Sequence, residues 1–193
     1  MRCGVLALQG GFAAHQQVLR GLGVDADTVR TAAELERVDA LVIPGGESSA
    51  VNRLLALDGL GEALTARLDG GMPVLATCCG VILLARGVEP AQETFGCLDV
   101  DVVRNAYGRQ LASTVVDVDL DGAVGPPPTM EGVFIRSPRV TRVGPGVRVL
   151  GRRGEDPVLV ATDRIVAATF HPELTDDPRV HEIFITIMEA HDD

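Results

Sequence analysis

The stretch PVLATCCGVILLA, residues 73–85, joins two apolar runs through adjacent cysteines, Cys78 and Cys79. The first run, PVLATC, is short, opens on proline and reads as a buried strand; the second, GVILLARG, reads as the helix that follows it. A strand that turns sharply into a helix can hold a nucleophile at the turn. The residues two before and two after that nucleophile crowd each other, so both must be small. Centred on Cys78 they are Ala76 and Gly80; centred on Cys79 they are Thr77 and Val81, both β-branched. The turn therefore selects Cys78, at a helix N-terminus where the dipole favours a thiolate. Cys79 reads as a small core hydrophobe, as free cysteines commonly are. Cys78 taken alone is open to the same reading until a base is found.

The same alternation of strand and helix runs outward on both sides of this turn. CGVLAL reads as a strand, Gly10-Gly11 as a turn, and FAAHQQVLRGLG as a helix with His15, Val18, Leu19 and Leu22 on one face. DALVIP is a second buried strand, followed by GGESS and a helix with Val51, Leu54 and Leu55 inward. Strands that are apolar throughout and separated by helices imply a parallel sheet covered on both faces. The second half is richer in β patterns. CLDVDVVRN and STVVDVDL alternate apolar and polar residues, GAVGPPPTMEG reads as a surface loop, and GVFIR, VRVLGRR, PVLVAT and RIVAATF are further short strands. RVHEIFITIMEAHDD closes the chain, with Val180, Ile183, Phe184, Ile187 and Met188 marking one helical face. The sum is an open, three-layer α/β sheet with antiparallel additions, whose ligands bind at the carboxyl ends of the parallel strands.

Bulk properties narrow the function. The 193 residues suit one core, and 46% apolar content predicts a folded chain. The net charge is −10 and no basic run occurs, so nucleic acid is excluded as an expected partner. All 17 basic residues are arginine, which reads as codon bias. No apolar run approaches the ~18 residues of a membrane span. There is no signal-peptide pattern, and Cys3, Cys78, Cys79 and Cys97 have no metal-ligand spacing. A reducing cytoplasm with free thiols is the expected setting.

A base for Cys78 is offered by FHPELTDD. Pro172 holds His171 extended, and in an extended segment residues two apart share a side. Glu173 can then fix the tautomer of His171 and stabilise its imidazolium. His15, His181 and His191 lack a carboxylate at that offset and read as hydrogen-bonded structural residues. PGGESS follows a buried strand and offers backbone N–H groups at Gly45 and Gly46 for an oxyanion, although Pro-Gly-Gly is also an ordinary turn. Gln9-Gly10-Gly11 ends the first strand at the same sheet edge. Its glycines permit a peptide that reorients when a partner docks, or simply a tight turn.

Together these residues resemble the class I, or triad, glutamine amidotransferases, and within that class the glutaminase subunit of pyridoxal 5′-phosphate synthase. The resemblance rests on GVLALQGGFAAH, LVIPGGESS, ATCCGVILLA, VVRNAYGRQ, GVFIRSP and FHPELTDDPRVHEIF. The elbow and FHPE mark the broad class; RNAYGRQ, FIRSP and HPELTDD in combination mark the family. It implies a mostly parallel, flavodoxin-like α/β sheet in one glutaminase domain over residues 1–193. It implies Cys78 as nucleophile, His171 and Glu173 as its partners, and glutamine contacts at Gly46, Glu47, Ser48, Arg104, Ile135 and Arg136. Arg104 and Arg136 alone would read as solvated surface residues. The oxyanion would be met around Gly45, Gly46, Gln9 and Gly10.

The resemblance further implies hydrolysis of L-glutamine without metal or cofactor. The ammonia would pass to a (βα)₈-barrel synthase subunit, in a large hetero-oligomer, for vitamin B6 synthesis. Two other readings are a glutaminase feeding a different synthase, and a non-hydrolytic thiol sensor or chaperone of similar fold. RNAYGRQ argues against the first and the His171–Glu173 pair against the second. The chain departs from the usual Gly-Thr-Cys-Ala-Gly elbow at Ala76 and Cys79, and has GESSA where Gly-Glu-Ser-Thr-Thr is typical. Ala76 is expected to shift the turn slightly, and Cys79 to offer the nucleophile an oxidation partner.

Overall fold

Strands β3 (Ala40–Ile43), β4 (Val74–Thr77) and β12 (Ile165–Ala168) are buried at every residue and lie side by side in parallel. Runs of small and β-branched apolar residues cannot expose either face to water, so helices must cover both. The computed structural model describes residues 1–106 and 113–191. Its remaining strands are β1 (Arg2–Leu6), β2 (Asp25–Val29), β5 (Ala85–Glu89), β6 (Leu98–Val103), β7 (Thr114–Leu120), β8 (Thr129–Phe134), β9 (Arg139–Val143), β10 (Arg148–Arg153) and β11 (Asp156–Ala161). Its helices are α1 (Phe12–Gly21), α2 (Ala32–Leu35), α3 (Ser48–Leu55), α4 (Leu60–Asp69), α5 (Cys79–Leu84) and α6 (Arg179–Glu189).

Among the described residues the main sheet runs β2-β1-β3-β4-β12-β11-β10-β7-β8. Its first five strands are parallel and the rest are added antiparallel. A smaller sheet, β5-β6-β9, packs to one side. The period-2 alternation of strand side chains divides the interior. Leu41, Ile43, Val74, Ala76, Ile165 and Ala167 point to a core shared with α3, α4, α5 and the small sheet. Val42, Leu75, Val166 and Ala168 point to a core closed by Leu19 of α1 and by Val180, Phe184 and Met188 of α6. This is the expected three-layer architecture. The parallel block has the 2-1-3-4-5 strand order of flavodoxin-like sheets, with its switch point between β1 and β3.

Several local expectations are corrected. GVILLARG does not stay helical: α5 ends at Leu84 and Ala85–Glu89 form β5 against β6. An apolar run of that length fits either state, and pairing decides it. A methyl on Gly87 would sit 2.5 Å from Asp101 Oδ1, so glycine lets the two strands close. Leu54 is exposed, and the inward face of α3 is Ser48, Val51 and Leu55. On α1 the buried set is His15, Gln16 and Leu19, with Gln16 donating to Ala26 O and Thr28 Oγ1. The loop read over 122–132 ends early, because Thr129–Gly132 already belong to β8. β2, α2, α4 and β9 were not foreseen. The motif RNAYGRQ lies outside the described residues from position 107 onward.

Candidate active site

Four chain segments leave the carboxyl ends of β1, β3, β4 and β12 at one edge of the sheet, and they meet at Cys78. The residue stands between β4 and α5 with φ 49° and ψ −107°. This is a strained conformation for a side-chain-bearing residue, of a kind that persists where the surroundings enforce it. Its N–H donates to Ala168 O at 2.9 Å, tying the turn to β12. The crowding inferred from the sequence is present. A Cβ on Gly80 would lie 2.3 Å from Ile43 O and 3.3 Å from Ala76 Cβ. Ala76 fits because Gly80 leaves out the methyl opposite it. Cys79, the first residue of α5, turns away instead. It is 1% exposed, its sulfur contacts Pro44 O at 3.5 Å, and burial followed by the neighbouring Cys78 pushes its thiol far up.

The structure brings His171 and Glu173 to this turn. His171 Nδ1 donates to Glu173 Oε1 at 2.8 Å, and the other side of the ring faces the Cys78 sulfur. The route differs from the extended segment expected: Pro172–Leu174 form a 3-10 turn that curls Glu173 back under the imidazole. Burial on its own would lower the His171 pKa. Hydrogen bonds and charge from Cys78 and Glu173 outweigh that and raise it to about 10. Burial likewise opposes ionisation of Glu173, but the His171 bond and the charges of His15 and His171 hold its carboxyl below the usual range. A thiolate–imidazolium pair is therefore favoured at neutral pH.

Two glycines make the close approach possible. A Cβ on Gly45 would fall 2.4 Å from His171 Cε1 and 3.2 Å from Cys78 Cβ. One on Gly10, at φ +82°, would fall 1.7 Å from Gly45 O. The loops after β1 and β3 thus touch backbone to backbone beside Cys78. Gln9 joins them by accepting the Glu47 N–H at 2.7 Å.

In front of the sulfur lies an open cleft of about 550 Å³, lined by Cys78 and by Gly46, Glu47, Ser48, Arg104, Ile135 and Arg136. All six substrate contacts expected from the resemblance thus face one cavity. Arg104 Nη2 donates to Ser49 Oγ at 3.1 Å, and Arg136 adopts φ 47°. Asn105 and Ile82 also line it and were missed. The edge strand β8 touches both reacting groups: Val133 O accepts the His171 N–H at 2.9 Å, and Ile135 O stands 3.8 Å from Cys78 Sγ.

A second omission lies behind the triad. His15 Nε2 stands 3.1 Å from Thr77 Oγ1 and 3.2 Å from Glu173 Oε2, and His15 Nδ1 stands 2.9 Å from His181 Nε2. Both histidines are wholly buried. Reading them as hydrogen-bonded residues was sound, but their partners lie 62 and 166 positions from His15, beyond any local sequence signal.

Comparison with known proteins agrees with this geometry. The chain is 48% identical over 192 residues to "Pyridoxal 5'-phosphate synthase subunit PdxT" of Parafrankia sp., covering 98% of this chain and 94% of that one. It is 46% identical to the protein of the same name from Thermus thermophilus, covering 95% and 96%. A solved structure described as a glutamine amidotransferase superposes with TM-score 0.88 at 41% identity, covering 98% of this chain and all of the other. A putative GMP synthase component from Thermoplasma acidophilum, at TM-score 0.73 and 19% identity over 100% and 96% of the two chains, shares the fold. The model of the SNO glutamine amidotransferase family matches residues 5–190, and to that family this chain belongs.

Proposed function

We propose that this chain, as one domain over residues 1–193, is the glutaminase subunit of a pyridoxal 5′-phosphate synthase. The observation that carries the reading is the run Cys78–His171–Glu173 opening onto a cleft that sets Glu47 against Arg104 and Arg136. Free glutamine presents an ammonium and a carboxylate, and a glutamate with two arginines is the matching set. Its side-chain amide then points toward Cys78.

The Cys78 thiolate attacks the amide carbon, and a C–S bond forms as the carbonyl becomes an oxyanion. N–H groups around Gly45, Gly46 and the Gln9-Gly10 peptide meet that charge, and one such donor is typically worth ~10²–10³ in turnover. His171 gives its proton to the departing nitrogen, the C–N bond breaks and ammonia leaves. Neutral His171 next takes a proton from water, whose oxygen attacks the thioester. The C–S bond breaks, glutamate leaves and the pair is restored. Glu173 holds the imidazole in the tautomer that serves both halves.

The ammonia passes to a (βα)₈-barrel synthase subunit in a large cytoplasmic hetero-oligomer, and neither metal nor cofactor takes part in the glutaminase step. The names of the relatives support the synthase partner over other glutamine-dependent synthases. The carboxylate on His171 supports hydrolysis over a thiol sensor or chaperone. The test is glutamate release by the purified chain with and without its synthase subunit. Release that depends on Cys78 and rises on adding the synthase is expected; none in either condition would overturn the reading.

A further inference from the structure

Glu173 has two buried oxygens and His171 satisfies one. The side chain is 1% exposed, so the second oxygen, Oε2, cannot be hydrated from bulk water. A buried carboxylate needs both oxygens compensated, or it takes a proton or turns away. Oε2 has no hydrogen bond of good geometry, but His15 Nε2 lies 3.2 Å from it. We propose that His15 is a positioning residue, whose Nε2–H, held between Thr77 Oγ1 and Glu173 Oε2, keeps the Glu173 carboxylate ionised and turned onto His171. The proposal rests on reading Cys78, His171 and Glu173 as the reacting set.

Three elements converge on this one N–H. His15 comes from α1, Thr77 is the last residue of β4 and directly precedes Cys78, and Glu173 follows β12. The tautomer follows from charge. A lone pair on Nε2 beside the carboxylate would be repelled, so Nε2 carries the hydrogen and Nδ1 accepts. His181 Nε2 then donates to His15 Nδ1 at 2.9 Å, which leaves His181 Nδ1 as the bare nitrogen; it is buried without a partner, as this assignment requires. Both rings must stay neutral for the chain to hold. Burial lowers His15 to about 4, with Glu173 opposing and His171 assisting; burial and then His15 lower His181 to about 3. Packing alone does not ask for imidazoles here. Leu19, one turn further along α1, is buried as completely with no polar atom, and burying polar side chains costs free energy that an apolar residue avoids.

The test separates reach from polarity. His15→Gln places an amide N–H near the Nε2 position, whereas the shorter His15→Asn stays polar but cannot reach Glu173. His15→Phe fills the volume with no N–H at all. Two quantities are read: kcat and KM for glutamine in the complex with the synthase, and the pH profile of Cys78 alkylation by iodoacetamide in the free chain. Asn and Phe are expected to lower kcat about tenfold with KM within about twofold. They should also move the alkylation midpoint up by about one pH unit, as the His171 imidazolium loses its support. Gln should restore most of both. Asn and Gln behaving alike, whether both active or both impaired, would overturn the proposal, as would an alkylation midpoint that stays in place. If the native complex releases no glutamate, the proposed function fails, while the alkylation profile still decides the role of His15.

Discussion

Cys78→Ala removes the sulfur that the β4–α5 turn presents, and glutamate release by the complex should fall to background. Cys79→Ala should keep most of the activity, since that sulfur faces Pro44 and the core. Equal loss in two folded variants would reverse the assignment. His171→Asn removes both the thiolate's counter-ion and the acid that protonates ammonia, an effect on the order of 10²–10⁴ in rate. Glu173→Gln leaves the imidazole in place and should cost less; steady-state rates of the two variants rank their roles. At this scale the sequence was legible wherever the cause is local. The choice of Cys78 over Cys79 depends on residues two positions either side, and Glu173 on an offset of two from His171. Ala76 and Gly80 do meet, and the glycine absorbs the extra methyl. His15 was legible as a buried polar residue and no further, because Thr77, Glu173 and His181 reach it only through the fold.

Gly45 and Gly80 both sit where elements close on each other, yet a methyl would do different damage at each. At Gly80 it would strike the Ile43 carbonyl of β3, part of the rigid sheet. Gly80→Ala should therefore destabilise the fold by about 1–3 kcal/mol, seen as a lower urea midpoint. At Gly45 it would strike the His171 ring, which can swing aside. Gly45→Ala should leave the urea midpoint nearly unchanged while activity falls about 10²-fold from misplacement of the base. Similar midpoints for the two variants would contradict this division. The elements themselves were legible in proportion to their burial. β1, β3, β4 and β12 announce themselves as short apolar runs. β2 reads DADTV, exposed on alternate residues at the sheet edge, and its polar content hides it. α2 is one turn long, although Thr31 and Glu34 form a capping box that marked its start. β5 was hidden because VILLA suits a helix or a strand equally, and only pairing with β6 decides.

For the molecule as a whole, the buried ionisable groups set a pH window. His15 and His181 have folded pKa values below their ordinary 6.5, at about 4 and about 3. Their neutral burial is fully compatible with folding above pH 6.5 and is penalised as pH falls toward those values, at about 1 kcal/mol per pH unit for each. Glu173, also lowered, adds to the loss below the ordinary carboxylate range. His171 is raised to about 10, so its contribution is complete below 6.5 and fades as pH rises toward 10. The thermal midpoint should peak near pH 6.5, and His181→Phe should flatten the acid limb alone; an unchanged acid limb would show that His181 carries no such penalty. Division of labour with the synthase is a separate matter at this scale. The Cys78→Ala complex should make product from ammonium salts and none from glutamine, as product assays with each nitrogen source would show. Strand β8 has a last consequence. Within four residues it anchors the base through Val133, meets the sulfur at Ile135 and walls the cleft with Arg136. The span from the amino-acid head to the reacting carbon is thus gauged along one stiff edge, like a ruler with both marks cut in the same piece. Asparagine, one methylene shorter, would hold its amide about 1 Å out of reach when its head is seated, a misfit on the order of 10² in rate. The enzyme would then tell two amides apart by length, with no group devoted to rejecting the shorter one.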